Sequence, residues 1–243
     1  MRTWIVLGAT SSMARAFVRA VAERGDGVLV CGRDTADLAA TAGDARSRGA
    51  PLAEAHRFDA RDPNTFEAIL DRARGTEGQV DIAVFVGSMP PQDEIDADPG
   101  LIAGTVTDSF TGPATFLTAA LPLLVERQGT VVGVGSVAGD RGRVGNYVYG
   151  GAKAGFHAYL SGLRARLTQA GGHVVTVKPG FVDTAMTWGL PGMFLVAPPE
   201  KVAQDILGAV GKRRNVIYTP AFWWLIMTII RAVPEPIFKK LKI

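Results

Sequence analysis

Cysteine is almost absent: Cys31 stands alone among 243 residues. No internal disulfide can form, and its place inside an apolar run fits a reducing compartment and a packing role. Histidine is nearly as scarce, at three. His56 precedes Arg57 in a turn region, His173 opens an apolar run and His157 lies one turn beyond Lys153, so none has the setting of a catalytic base. No metal-ligand spacing exists either. Repeats, low-complexity tracts and linkers are missing, which argues against a second domain. The apolar run after Met1-Arg2-Thr3 is five residues long, too short for a signal-peptide core; it reads as a first strand, and a cytoplasmic protein is expected, with the inner membrane face as a second location. The apolar stretch 221–233 has thirteen residues including Arg231. As a helix it covers about 20 Å, short of the roughly 30 Å of a bilayer core.

Excess charge of one sign is also lacking overall, at +3, but the balance is uneven. Residues 211–243 carry seven basic side chains against Glu235, and the rest of the chain is slightly acidic. Those charges flank a Trp- and Ile-rich segment, which favours a lipid surface over a phosphodiester backbone and sets nucleic acid aside as a partner. Ordinary solvation is the alternative.

With 47% hydrophobic residues and a mean hydropathy of +0.17, the chain can bury one large core. Apolar runs near 3–7, 28–31, 80–86, 130–135, 173–178 and 215–218, and a weaker one at 52–57, alternate with amphipathic stretches near 12–24, 34–48, 63–74, 100–127, 147–170 and 199–211. This is the repeat of βαβ units. It predicts a single doubly wound α/β domain of Rossmann type over 1–220, with a mostly parallel seven-stranded sheet covered by helices on both faces, and a helical tail at 221–243. In such sheets the ligand site forms beyond the carboxyl ends of the strands.

The first run meets Gly8-Ala-Thr-Ser-Ser-Met-Ala14, small residues where a backbone can approach a pyrophosphate and a helix N-terminus can supply N–H groups. Ser12 and Ala14 stand where a dinucleotide fingerprint has glycines. The turn alone fits a plain strand-to-helix connection equally well. Gly8, Thr10, Ser11, Ser12 and Met13 are the candidate contacts, with Ser11 or Ser12 also able to cap the helix. The second run ends in Gly32-Arg33-Asp34, where the fold meets the adenosine ribose. A cation there suits a 2′-phosphate and predicts NADP(H); the alternative is a solvated arginine beside a helix-capping Asp34. Asp59 is a candidate acceptor for the adenine amino group or a turn aspartate.

The run 130–135 ends at Ser136, at the carboxyl edge of the sheet. Thirteen residues on, Tyr149 and Lys153 share a helix face at i and i+4. An ammonium about 4 Å from a phenol, at an effective dielectric of about 20, contributes about 4 kcal/mol, enough to lower a tyrosine pKa of about 10 by about three units. The trio therefore suits carbonyl reduction beside a nicotinamide: Tyr149 as general acid, Ser136 bonding the developing alkoxide, Lys153 lowering the phenol pKa and touching the ribose. Tyr147 has Gly151 at i+4 and is expected to line the pocket or pack.

Together these residues resemble the short-chain dehydrogenase/reductase family, over almost the whole chain. The resemblance extends to Asp81 at the start of the fourth strand and to Lys178-Pro-Gly-Phe-Val-Asp-Thr184. It implies cofactor contacts by Gly87, Pro179, Gly180, Val182 and Thr184, and a homodimer or homotetramer through 100–127 and 147–170. Three stretches depart from the family pattern: the glycine turn, Phe85-Val86-Gly87-Ser88, and Ser109, which stands where the family's fourth catalytic residue is an asparagine and would hold a relay water near Lys153. A narrower likeness, in Asn146-Tyr-Val-Tyr-Gly-Gly-Ala-Lys153 and in the tail, is to decaprenylphosphoryl-2-ketoribose reductases, which act on a lipid-linked sugar.

The tail is apolar around most of its circumference between Pro220 and Pro234, so lipid insertion, a substrate-channel wall and a subunit interface all fit. Residues 184–199 read as an apolar lid or a packed crossover, with Met186, Trp188, Met193 and Phe194 suggesting a greasy substrate. The expectation is an NADP(H)-dependent ketoreductase for a hydrophobic or lipid-linked ketone. A soluble 3-oxoacyl or small-ketone reductase and a catalytically silent dinucleotide sensor are the alternatives.

Overall fold

The computed structural model describes residues 2–186 and 195–241. Seven strands, β1 (Arg2–Leu7), β2 (Gly27–Gly32), β3 (Ala53–Arg57), β4 (Gln79–Val84), β5 (Thr130–Val134), β6 (His173–Pro179) and β7 (Val216–Thr219), make one sheet in the order β3-β2-β1-β4-β5-β6-β7. Every neighbouring pair is parallel, so the sheet is wholly rather than mostly so. The weak run at 52–57 is the edge strand β3, whose alternately buried and open residues need fewer apolar side chains. The helices are α1 (Ser12–Ala22), α2 (Thr35–Ser47), α3 (Phe66–Arg74), α4 (Gln92–Ala97), α5 (Leu101–Val106), α6 (Gly112–Ala119), α7 (Leu121–Glu126), α8 (Tyr147–Thr168), α9 (Pro199–Gly211), α10 (Trp223–Ala232) and α11 (Glu235–Phe238).

Alternation along the strands feeds two cores. Trp4, Val6, Val28, Val30 and Val175 meet Phe17 of α1, Leu38 of α2 and Ile206 of α9 on one face. Ile5, Leu7, Leu29, Ile82 and Val131 meet Ile69 of α3, Phe116 of α6 and Phe156 of α8 on the other. Each large side chain so buried contributes about 1.5–3 kcal/mol, and the sheet becomes a rigid platform for the groups at its edge. Cys31 is inside the second core, where burial pushes its thiol up and out of the reactive range.

The helix expected over 100–127 is broken. Pro113 has no N–H to give the Ser109 carbonyl; the turn ahead of it, Thr107–Thr111, widens to π geometry, and the Gly112 N–H reaches Thr107 O. Pro122 starts a separate α7. Gly112 cannot be larger, because a Cβ there would lie 2.3 Å from the Ala60 carbonyl oxygen. The short α4, in Gln92-Asp-Glu-Ile-Asp-Ala97, has no counterpart in the expected elements.

The tail is neither wholly buried nor free. Trp223 and Met227, one turn apart on α10, are buried against Val137, with Phe181 and Tyr218 beside them. Trp224, Leu225 and Ile229 face outward, each more than half exposed. Arg141 clamps the segment: its Nη1 donates to Ile230 O at 2.7 Å, its Nη2 to Glu235 at 2.8 Å, and its guanidinium lies 3.6 Å from the Phe238 ring centre. The tail is thus packed onto the domain along one side. No helix among the described residues is long and apolar enough to cross a membrane.

Candidate active site

Strand order reverses between β1 and β4, and the two loops leaving their carboxyl ends part to open a crevice there. Gly8 turns the first loop with φ 76°, a conformation natural to glycine. A Cβ on it would also come within 3.1–3.2 Å of the Phe85–Val86 backbone. Ser11 caps α1 by accepting from the Ala14 N–H, which leaves the first N–H groups of the helix, at Ser12 and Met13, for an anion. Gly8, Thr10, Ser11, Arg33, Asp59 and Gly87 line one cavity with Phe85 and Asp108. Ser12 opens α1 outside its wall.

Of the two roles weighed for the Arg33–Asp34 pair, the structure divides the work. Asp34 accepts from the Asp37 N–H and caps α2, while Arg33 stays exposed on the cavity wall. Asp59 is both a turn aspartate, accepting from the Arg61 N–H at 3.0 Å, and a wall residue. These features fit a dinucleotide: a cradle no side chain could share, free N–H groups at a helix start, and a cation at the ribose end. Asp108, also on the wall, is forked by Arg61 at 2.7 and 2.8 Å, a brace with no mark in the sequence.

A second cavity, more apolar, holds Ser136 and Tyr149 with Met13, Pro179, Gly180, Val182 and Thr184, and with Met89, Phe181 and Met186. Lys153 lines neither cavity and lies behind their walls. It is buried, its Nζ donates to Val86 O and Val134 O at 3.1 Å each, and a Cβ on Gly87 would lie 3.1 Å from it. Ser136 hydrogen-bonds the Tyr149 phenol and accepts from the Ala138 N–H at 3.1 Å. The three side chains expected to act together are together.

Their electrostatics correct the expectation. Burial pushes the Tyr149 phenol up to about 12, with only the Ser136 bond opposing it. Lys153 is not among the groups that shift the phenol; its nitrogen stands 5.8 Å from the ring centre. Burial also brings Lys153 down to about 8, because two carbonyls solvate an ammonium less well than water. Tyr149 is thus a fully protonated donor at neutral pH, not an acidified one.

Ser109 spends its one proton on Ser88 O and accepts from Ser88 N–H, both at 3.2 Å. It braces the Gly87–Ser88 turn beneath Lys153, with no donor left for the expected relay. Tyr147 neither lines the cavity nor packs: it is exposed and donates to Asp96. Of the lid expected at 184–199, residues 187–194, with Trp188, Met193 and Phe194, lie outside the described residues. Ala197 returns to the site through hydrogen bonds with Phe181 and Asp183.

One site residue was set aside on sequence. His157 Nε2 accepts the Ser136 N–H at 3.4 Å, and the ring fills the space where a Cβ on Gly135 or Gly139 would sit. Its signal was the i, i+4, i+8 row of Tyr149, Lys153 and His157 on α8.

Comparison with known proteins gives a consistent result. The family model described as short chain dehydrogenase matches residues 2–192. An uncharacterized oxidoreductase of Streptomyces coelicolor is 29% identical over 247 residues, covering 99% of this chain and 96% of that one. One of Mycobacterium tuberculosis is 27% identical, covering 98% and 96%. A short-chain dehydrogenase from Sphingobium yanoikuyae, solved in complex with NADPH, superposes with a TM-score of 0.80 at 24% identity over 97% of both chains.

Proposed function

Because the chain belongs to the short-chain dehydrogenase family, we propose that it is an NADP(H)-dependent ketoreductase acting on a hydrophobic or lipid-linked ketone, a keto-sugar on a polyprenyl phosphate being the leading candidate. The observation that carries this reading is that Ser136 and Tyr149 line an apolar cavity while Lys153, behind them, bonds Val86 on the wall of the first cavity. Gly8, Thr10, Ser11 and the N–H groups of Ser12 and Met13 would hold the pyrophosphate, Arg33 the 2′-phosphate, Asp59 the adenine and Lys153 the nicotinamide ribose. When bound, the cofactor supplies hydride. Tyr149 Oη gives its proton to the carbonyl oxygen, and Ser136 Oγ holds that oxygen in line. The third N–H of Lys153, left over after Val86 and Val134, is the one free for a ribose hydroxyl. NADPH oxidation screened against ketones with and without alkyl tails tests the reading; NADPH binding without turnover across all of them would overturn it.

Arg33→Ala is expected to raise the KM for NADPH roughly tenfold to hundredfold, the worth of charge-assisted bonds to a phosphate, and to leave that for NADH within twofold. Equal effects on the two cofactors would remove Arg33 from the 2′-phosphate.

The tail is proposed as a lipid-surface contact. Trp224, Leu225, Ile229 and Ile237 are open, Lys239 and Lys240 follow them, and their buried partners form a wall next to the substrate cavity. Cleaving the tail would strip Trp223 from the site, so the test is Glu at 224, 225 and 229 together. Binding to phosphatidylglycerol vesicles is expected to fall at least roughly tenfold; unchanged cosedimentation refutes the contact. A homodimer or homotetramer is proposed through α6 and α8, where Phe110, Ala114, Thr118 and Tyr159 frame an open apolar hollow.

A further inference from the structure

The cavity that holds Ser136 and Tyr149 also holds a cation with no hydrogen-bond or ion-pair partner among the described residues. Arg143 and Asn146 line it in the segment that leads into α8. Arg61 is forked on Asp108 and Arg141 is wrapped by the tail; Arg143 makes no such bond. Its Nε is the one guanidinium nitrogen among the described residues that is both buried and unbonded. The Oδ1 of Asn146 is likewise buried without a partner; as an acceptor it suits a hydroxyl of the ligand, leaving the amide Nδ2 to donate to the anion. Leaving buried polar groups unmade costs about 1–3 kcal/mol each, and more for a charged one, a cost that stability alone gives no reason to carry.

The nearest anion does not answer for it. Asp140 already receives Lys178 at 2.5 Å and the Tyr218 hydroxyl at 2.6 Å, and burial still holds Arg143 below the ordinary arginine range against the pull of that carboxylate. A guanidinium has five donors in a planar fork and no acceptor, and it keeps its charge in a protein. Its complement is a group with several anionic oxygens, for which phosphate is the best geometric match. The surrounding wall, Met89, Phe181 and Met186, offers apolar contact to whatever carries that group.

We propose that Arg143, with the side-chain amide of Asn146, is a specificity site for a phosphate or phosphodiester that the substrate carries near its ketone. The inference deepens the ketoreductase reading and rests on it for the word substrate; the anion site itself stands on Arg143 and Asn146. The same chemistry belongs to a lipid-linked phosphate and to a small soluble phosphorylated ketone, and chain length separates them.

The test is calorimetric titration of the full chain, saturated with NADPH so that the pyrophosphate cradle and Arg33 are occupied, with decyl phosphate, methyl phosphate and decanol. Decyl phosphate is expected to bind, and Arg143→Met to weaken it at least roughly tenfold, with Arg143→Lys weakening it less and decanol indifferent to both changes. Since Arg143 has no partner to strand and an unmet desolvation cost to shed, Arg143→Met is expected to melt no lower than the parent. Preference for decyl over methyl phosphate points to the lipid-linked source, and equal binding to the soluble one. Decyl phosphate binding the parent and Arg143→Met alike, or not binding a parent that binds NADPH, overturns the anion site and leaves the reductase reading untouched. Arg143-dependent binding in a chain that takes no NADPH keeps the site and sinks the reductase.

Discussion

Tyr149→Phe is expected to lower turnover roughly a thousandfold, the size of a lost general acid, and to leave the Kd for NADPH within twofold. A thousandfold is about 4 kcal/mol of barrier, and the geometry says why one oxygen carries it. The phenol faces Ser136, and its pKa near 12 keeps it loaded. Ser136 orients the carbonyl but, as an alcohol, is a poor acid. The ring itself stays, so the cavity wall and the buried Lys153 keep their packing. Steady-state rates on the best ketone, with fluorescence titration of NADPH, measure both halves. Loss of less than about tenfold would assign the proton elsewhere, and a chain that binds NADPH and keeps its biological effect as the phenylalanine variant would be a dinucleotide sensor instead.

That Ser136, Tyr149 and Lys153 meet was legible because strand ends and helix faces follow from periodicity, and the family resemblance used the same positions. The seven strands were legible for the same reason. What periodicity does not encode is where a helix is jammed or broken. The π turn follows from the missing Pro113 N–H, but the close approach of Ala60 that keeps Gly112 small beside it joins residues about fifty apart in sequence. Nor does it encode dielectric: Lys153 sits at the expected spacing from Tyr149, yet two backbone carbonyls claim it and burial outweighs its charge. His157 lies one turn beyond Lys153, a position that by itself marks no role. Its role appears only when Gly135 and Gly139 are seen to make room for it. The tail's pattern, apolar all round, could not say which side was taken, since Trp223 and Trp224 are equivalent until the fold buries one of them.

Acid is expected to unfold the protein through His157, and to do so over a defined range. Burial, chiefly, with the Lys178 and Lys153 ammonium groups adding and Asp140 opposing, brings His157 down to about 3. An unfolded histidine titrates near about 6.5. Between those values the unfolded chain binds a proton that the folded chain refuses, so stability rises with pH there and is lost as pH falls below 6.5. At a folded pKa near 3 the loss is about 2 kcal/mol between pH 7 and 5 and about 3 kcal/mol by pH 4. The geometry gives the same sign: the Ser136 N–H points at Nε2, which therefore must be a lone pair, and a proton there would set two donors against each other. Replacing His157 with glutamine keeps an acceptor for that N–H and removes the titration. Urea unfolding at pH 7, 6, 5 and 4 should therefore show the parent losing about 2 kcal/mol more than His157→Gln from pH 7 to 5, whatever the carboxylates contribute to both. Parallel pH profiles for the two proteins would mean that the ring takes up its proton in the folded state. Its hold on Ser136 would then have to survive ionisation, which the bonding pattern does not allow.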